Sequence, residues 1–293
     1  VQGHQKNITS LTKFSPGGKN DKQTLWSGSF EGRVCSWDVA TGDAGEVDGD
    51  RHPAYIAGLA STQEGTGRIY SVGWDDTIRS IDVGAKTYTG TASKLSGQPK
   101  GIAAGNSTVL VGTSEGVEIY DDGKKIGYFK SGPAVTAVAA HGNTAAIGGE
   151  DSSVQICGIS GSNLTPKAEF KVSRNPVSVM AFSPDGSLIA VGDSKGRVLV
   201  HKVADGSLVT DRWTAHTARI TSIDWNDSGT HVASGSVDTH IFVWSLANPG
   251  DWLQVANAHK EGVNGVAWVE GGSKIASAGA DAAVKLWKVD KLN

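Results

Sequence analysis

The chain has 293 residues, 39 of them Gly and only 8 Pro, with 27 basic against 30 acidic side chains and a formal net charge of −3. That balance gives no electrostatic reason to expect nucleic acid or an anionic membrane as a partner, and no apolar run approaches the roughly 18 residues of a membrane span. Gly at about twice ordinary usage, with frequent Ser, Asp and Asn, predicts many tight turns, and the length suffices for a large buried core. Cys35 and Cys157 are too few for a disulfide framework and point to a reducing, cytosolic setting.

A repeat starts at once. Gly3–Val39 carries His4, an alternating apolar strand, a Gly-rich turn, a second strand, a short turn at Glu31 and a third strand ending at Trp37. Ser15–Thr24 and Thr41–Asp50 are predicted to be loops of this first unit. Four weaker copies follow, with Ile81, Tyr120, Cys157 and His201 at the position of Trp37. Two strong copies come last, Ala215–Leu246 with Trp244 and Ala258–Val289 with Trp287. The series 37, 81, 120, 157, 201, 244, 287 is spaced by roughly 37 to 44 residues, the period of a four-stranded propeller blade. Seven units use up residues 1–293, which predicts an all-β chain forming a single seven-bladed WD-repeat β-propeller, read as one domain of something larger.

Each strong copy also carries a polar set. WD repeats hydrogen-bond a His, a strand Ser, a turn Asp and a Trp in series, and the matching residues are His216, Ser234, Asp238 and Trp244 in blade six and His259, Ser277, Asp281 and Trp287 in blade seven. Blade one has His4, Ser27, Glu31 and Trp37, with Glu in place of Asp. Asp accepts from His, His from the Ser hydroxyl, and Ser from the Trp N–H, so each buried group is satisfied. Blades three, four and five lack the set and are expected to rely on apolar packing. Phe14, Phe182, Trp225 and Trp268 end successive first strands and are expected to pack between blades; Trp213 and Trp252 read as edge packing on outer strands.

Two stretches have the spacing of a serine-hydrolase elbow, Gly192–Gly196 and Gly112–Gly116, but both fall at the same turn of their repeats, with a strand rather than a helix to follow. The Ser, His and Asp of the blades likewise recur with the repeat and read as structure, not as a catalytic triad. The eight His and two Cys show no metal-ligand spacing, and there is no phosphate-binding Gly loop. No catalytic residue, metal or cofactor is therefore expected, and no small-molecule substrate, although a propeller channel can hold a ligand without leaving a sequence signature. The chemistry of interest is aromatic. Phe30 and Trp74 immediately precede the turn acids Glu31 and Asp75, while Lys6, Tyr55 and Lys260 occupy the loops after the His in blades one, two and seven. Those blades are neighbours in a closed ring, and aromatic and basic residues on one face are typical of binding hot spots.

The whole chain resembles the actin-interacting protein 1 family, and within it the second of two propellers. The residues that carry the likeness are GHQKNIT at 3–9, SGSFEGRVCSWD at 27–38, SVGWDDTIRSID at 71–82, SGQPK at 96–100, DSKGRVLVHKV at 193–203, GSVDTHIF at 235–242 and SAGADAAVKLW at 277–287. The resemblance implies a cytoplasmic protein of the actin cytoskeleton. Its partners would be actin filaments and cofilin, and it would promote disassembly of cofilin-decorated filaments and limit barbed-end regrowth by binding alone. It transfers no specific binding residue to this chain. Two other readings stay open: a generic WD-repeat scaffold taking a peptide or protein on one face, and an enzyme using the central channel, which converging carboxylates or His there would favour. After Trp287 six residues remain and before Gly3 only two, so blade seven is expected to have three strands, with Ala283–Val289 as an edge blunted by Lys285 and Lys288.

Overall fold

Each repeat folds into an antiparallel meander because its apolar residues alternate over short runs bounded by turn residues, which favours strands over helices. The computed structural model describes residues 3–15, 23–62 and 67–289. Among them are seven sheets, six of four strands and one of three, each in simple sequence order. The inner strands are Ile8–Phe14, Ile56–Thr62, Pro99–Ala104, Val135–His141, Val177–Phe182, Ile220–Trp225 and Val263–Val269. Each neighbours the next, and the last neighbours the first, so the seven blades form a closed ring.

The register confirms the alignment of the weak repeats with the strong ones. Trp37, Ile81, Tyr120, Cys157, His201, Trp244 and Trp287 stand opposite Leu25, Ile69, Val109, Ala145, Ile189, Val232 and Ile275 of their second strands. Two residues further along the second strand lies Ser27, Ser71, Ser234 or Ser277 where the polar set exists. Val111, Ile147 and Val191 stand there in blades three, four and five.

The core is divided into seven apolar clusters, one at each interface between blades. Strand alternation explains the division. In blade four, Ala145 and Ile147 face blade three while Ala146 between them faces blade five. Nearly continuous apolar runs are what such doubly covered strands require. A Gly recurs one residue past the Ser position, and it lets the next inner strand approach: a Cβ on Gly28, Gly148, Gly192 or Gly235 would lie 2.5–2.8 Å from Ile56, Val177, Ile220 or Val263. Polar links cross the same interfaces. Thr9 donates to the Ile56 carbonyl, Ser178 to that of Ile220, Thr221 to that of Val263, and the Asn264 amide to that of Ile8, which joins blade seven to blade one.

Some expectations need revision. Thr41–Asp50 is more than a loop, because Ala44–Glu46 is the outer strand of blade one. Ser15–Thr24 falls largely outside the described residues. Phe14, Trp225 and Trp268 are buried between blades as expected, but Trp213 is not edge packing: it is fully buried and stacks on Trp244 of the next blade at 5.8 Å. Trp252 does lie exposed on its outer strand, against Phe242. Blade seven has three strands among the described residues, the third being Val284–Lys288; the expectation of an open edge also concerns residues 1–2 and 290–293, which lie outside the described residues. Cys35 and Cys157 are both free and buried, in blades one and four.

Candidate functional site

Every blade places the loop before its inner strand and the turn after its second strand at one end. The backbone ties the two together: the Phe30 N–H donates to the Asn7 carbonyl, Trp74 to Tyr55, Ser194 to Pro176, Val237 to Arg219 and Ala280 to Gly262. This end carries the polar sets and the candidate binding residues.

The polar sets form in blades six and seven. His216 Nδ1 is 2.9 Å from Asp238 Oδ2 and its Nε2 2.8 Å from Ser234 Oγ, which also accepts from Trp244 Nε1 at 2.8 Å. In blade seven the corresponding distances are 2.6 Å from His259 to Asp281, 2.7 Å from His259 to Ser277 and 2.7 Å from Trp287 to Ser277. With its proton on Nδ1, each His donates to Asp and accepts from Ser. Burial would raise the two carboxyls, but the His hydrogen bonds, helped by backbone N–H donors, hold Asp238 and Asp281 down to about 2. Blade one departs from the pattern. His4 and Trp37 both reach Ser27 at 2.7 Å, but Glu31 lies 4.0 Å from His4 and instead accepts from the Gln5 N–H. Burial, only partly offset by Glu31, pulls His4 down to about 4.

Blade two holds a set that sequence reasoning does not reveal, His52 with Ser71 and Asp75 at 2.9 and 2.8 Å, where Ile81 replaces the Trp. Blade three, expected to lean more on apolar packing, also encloses the Glu118 carboxylate. Glu118 accepts from the Ser96 backbone and hydroxyl, from Tyr120 at 2.6 Å and from Lys125 at 2.8 Å. Burial would raise its pKa; these donors hold it below the ordinary value. All of these groups are occupied by internal partners. So is the elbow-like stretch at Gly192–Gly196: Asp193 accepts from Asn175 and from the Lys195 and Arg197 N–H groups, and Val198–Lys202 follows as a strand. Burial pushes the Cys35 and Cys157 thiols up to about 12 and 11, which leaves them as unreactive thiols.

The free chemistry is at the rim. Phe30, Tyr55 and Trp74 form an arc across blades one and two, with ring centroids 5.7 Å apart for Phe30–Tyr55 and 4.8 Å for Tyr55–Trp74. Trp74 is 54% exposed and Phe30 52%. Large apolar rings left in water beside one another mark a contact surface rather than core. Lys6 and Lys260 are exposed on the same end, but neither lies over these rings nor lines the cavity beside them.

That cavity, of about 500 Å³, is the mouth of the central channel, and residues of all seven inner strands line it. Tyr55 and Trp74 form part of its wall together with Pro99, Lys100, Arg219 and Val237. No Asp, Glu, His or Cys is among its described lining residues. Arg219 and Lys100 are exposed, and neither is in an ion pair among the described residues. Sequence reasoning passes over both. A signal exists for Arg219, which holds the place in blade six that Tyr55 holds in blade two, three residues past the His. Among the described residues no group of His, Cys, Asp and Glu could hold a metal, and no helix is long and apolar enough to cross a membrane.

The closed ring of seven antiparallel blades and the His–Ser–Trp bonding define the class: this is a seven-bladed WD-repeat β-propeller. The family model of the anaphase-promoting complex subunit 4 WD40 domain matches residues 143–228 and 180–270. The resemblance to the actin-interacting protein 1 family holds over most of the chain. It is 31% identical to "Actin-interacting protein 1" of Caenorhabditis elegans, over 85% of this chain and 41% of that protein. It is 32% identical to the "66 kDa stress protein" of Physarum polycephalum, over 88% of this chain and 42% of that protein. With "WD repeat-containing protein 1" of Gallus gallus it shares 31% identity over 85% and 41%. The chain thus spans about two fifths of the length of these relatives. A crystal structure of the computationally designed Ika8 protein matches 99% of the chain with a TM-score of 0.69 at 20% identity, a likeness of fold alone.

Proposed function

We propose that this propeller is an actin-filament-associated interaction module of the cytoplasm, which promotes disassembly of cofilin-decorated filaments and limits barbed-end regrowth by binding alone. Residues 1–293 would be the second propeller of a longer protein, a reading supported by the two fifths of its relatives that the chain spans. The observation that carries the proposal is the arc of exposed Phe30 and Trp74 about the half-buried Tyr55, on a propeller related in sequence to proteins named actin-interacting protein 1. The arc and the adjoining channel mouth offer apolar contact and two cations, groups suited to holding a protein surface. Among the described lining residues the Ser and Thr hydroxyls, Tyr55 and Lys100 have no carboxylate, imidazole or thiol beside them to activate them, which supports binding without chemistry.

The second reading, a scaffold taking a peptide on this face, uses the same arc. Cosedimentation of the chain with bare and with cofilin-decorated filaments separates the two. Pelleting that depends on cofilin decoration is the expected result; equal pelleting with both, or none with either, contradicts the filament reading.

A further inference from the structure

We infer that the partner segment seated on this face is acidic, with carboxylates over the channel mouth and an apolar side chain against the aromatic arc. The inference rests on reading this face as the binding surface, and adds the chemistry of what binds. Three observations carry it. First, the charged residues that line the mouth are Lys100 and Arg219, both cationic, on a chain whose net charge is −3. Second, the cations on this chain that meet carboxylates do so elsewhere: Lys13 with Asp224, Arg79 with Asp75, Lys125 with Glu118 and Lys285 with Asp281. Arg219 and Lys100 are in no ion pair among the described residues, and their charge is available to a partner. Third, apolar and cationic groups are continuous. Tyr55 and Trp74 belong both to the arc and to the wall that holds Arg219 and Lys100. Arg219 acts on the Tyr55 hydroxyl, opposing the rise that burial imposes.

An acidic segment with one apolar anchor satisfies both halves of this surface at once. The guanidinium of Arg219 offers a planar fork to a carboxylate, and Lys100 a point charge beside it. The rings of Phe30, Tyr55 and Trp74 cover the anchor. A basic segment would meet two cations and no anion at the mouth, a like-charge juxtaposition that selects against it.

The test uses the 293-residue chain and fluorescein-labelled peptides read by anisotropy. One peptide carries Asp and Glu around a central Leu-Trp pair, and a second replaces each acid by Lys. A single-stranded oligonucleotide matched to the first in charge is the third probe. The acidic peptide is expected to bind with an affinity that falls as salt rises, and the Lys peptide and the oligonucleotide to bind at least about tenfold more weakly. Arg219→Glu with Lys100→Glu should weaken the acidic peptide by at least about tenfold, while Arg219→Lys, which keeps the charge and loses the fork, should weaken it less than the reversal does. Equal binding of acidic and basic peptides, indifference to the charge reversal, or equal binding of the oligonucleotide would overturn the inference.

Filament binding is scored separately. If Trp74→Ala abolishes pelleting with decorated filaments and the charge reversal does not alter it, the face stands as the binding surface and the acidic-partner inference falls. If Trp74→Ala leaves pelleting intact while the acidic peptide still binds with the stated charge dependence, the inference stands and the filament reading falls.

Discussion

Trp244 is 1% exposed, donates to Ser234 and stacks on Trp213 and Phe242, so its side chain holds two blades together. Trp244→Ala is expected to cost on the order of 3–5 kcal/mol, since it empties a core site and takes a donor from a buried hydroxyl. Ser194→Ala, in the turn with the elbow-like spacing, should cost less than about 1 kcal/mol. Urea titrations of the two variants check both values, and equal losses would contradict this division between a core residue and a turn residue.

The same networks set the pH dependence. His4 is held neutral down to about 4 in the fold, whereas an unfolded chain protonates it near 6.5, so stability should fall as pH drops through that window. Asp238 and Asp281 titrate at about 2 rather than 3.8, so their contribution is present above 3.8 and is lost as pH falls through 2. Melting temperatures should therefore decline in two stages, and His4→Asn should make the first shallower without removing it, since burial also lowers His52, His201 and His259. Residue types at fixed spacing make three of the networks legible in the sequence. The failure at Glu31 is not legible, because it depends on reach: the longer side chain takes the Gln5 N–H and leaves His4 at 4.0 Å.

Among the elements, inner, second and third strands are readable from alternation and turn residues, and Trp213 and Trp252 mark two outer strands, whereas the outer strand of blade one is not readable. Ala44–Glu46 has no large apolar residue to announce it, and its pairing with Cys35–Trp37 is set by the backbone. Glu118 is hidden for a different reason: a lone acid in an apolar strand gains meaning only once Ser96, Tyr120 and Lys125 converge on it. The recurring Gly of the second strand gives the element its own test. A Cβ at Gly235 would stand 2.5 Å from Val263 of the next blade, while one at Gly132 meets nothing within 4 Å. Gly235→Val should destabilise by roughly 1–3 kcal/mol or more through overpacking, and Gly132→Ala by no more than about 0.5 kcal/mol. Thermal unfolding of both variants checks this, and a neutral Gly235→Val would show that the interface yields.

At the scale of the whole molecule, seven apolar clusters and the Asn264–Ile8 link close the ring, leaving a channel whose mouth is lined, among the described residues, by Arg219 and Lys100 but by no acid. The period of the repeat makes this architecture legible, because a fixed spacing of Trp-equivalent positions leaves few other folds. It places Phe30, Tyr55 and Trp74 on one face of neighbouring blades but cannot show that their rings touch as one arc, since that depends on how blades one and two pack. Trp74→Ala therefore tests the central claim most directly, with pelleting on cofilin-decorated filaments and the melting temperature measured on the same preparation. The expected result is at least about a tenfold loss of filament affinity with the melting temperature shifted by no more than roughly 2 °C. Unchanged pelleting, or a large fall in melting temperature that makes Trp74 a packing residue, would contradict it.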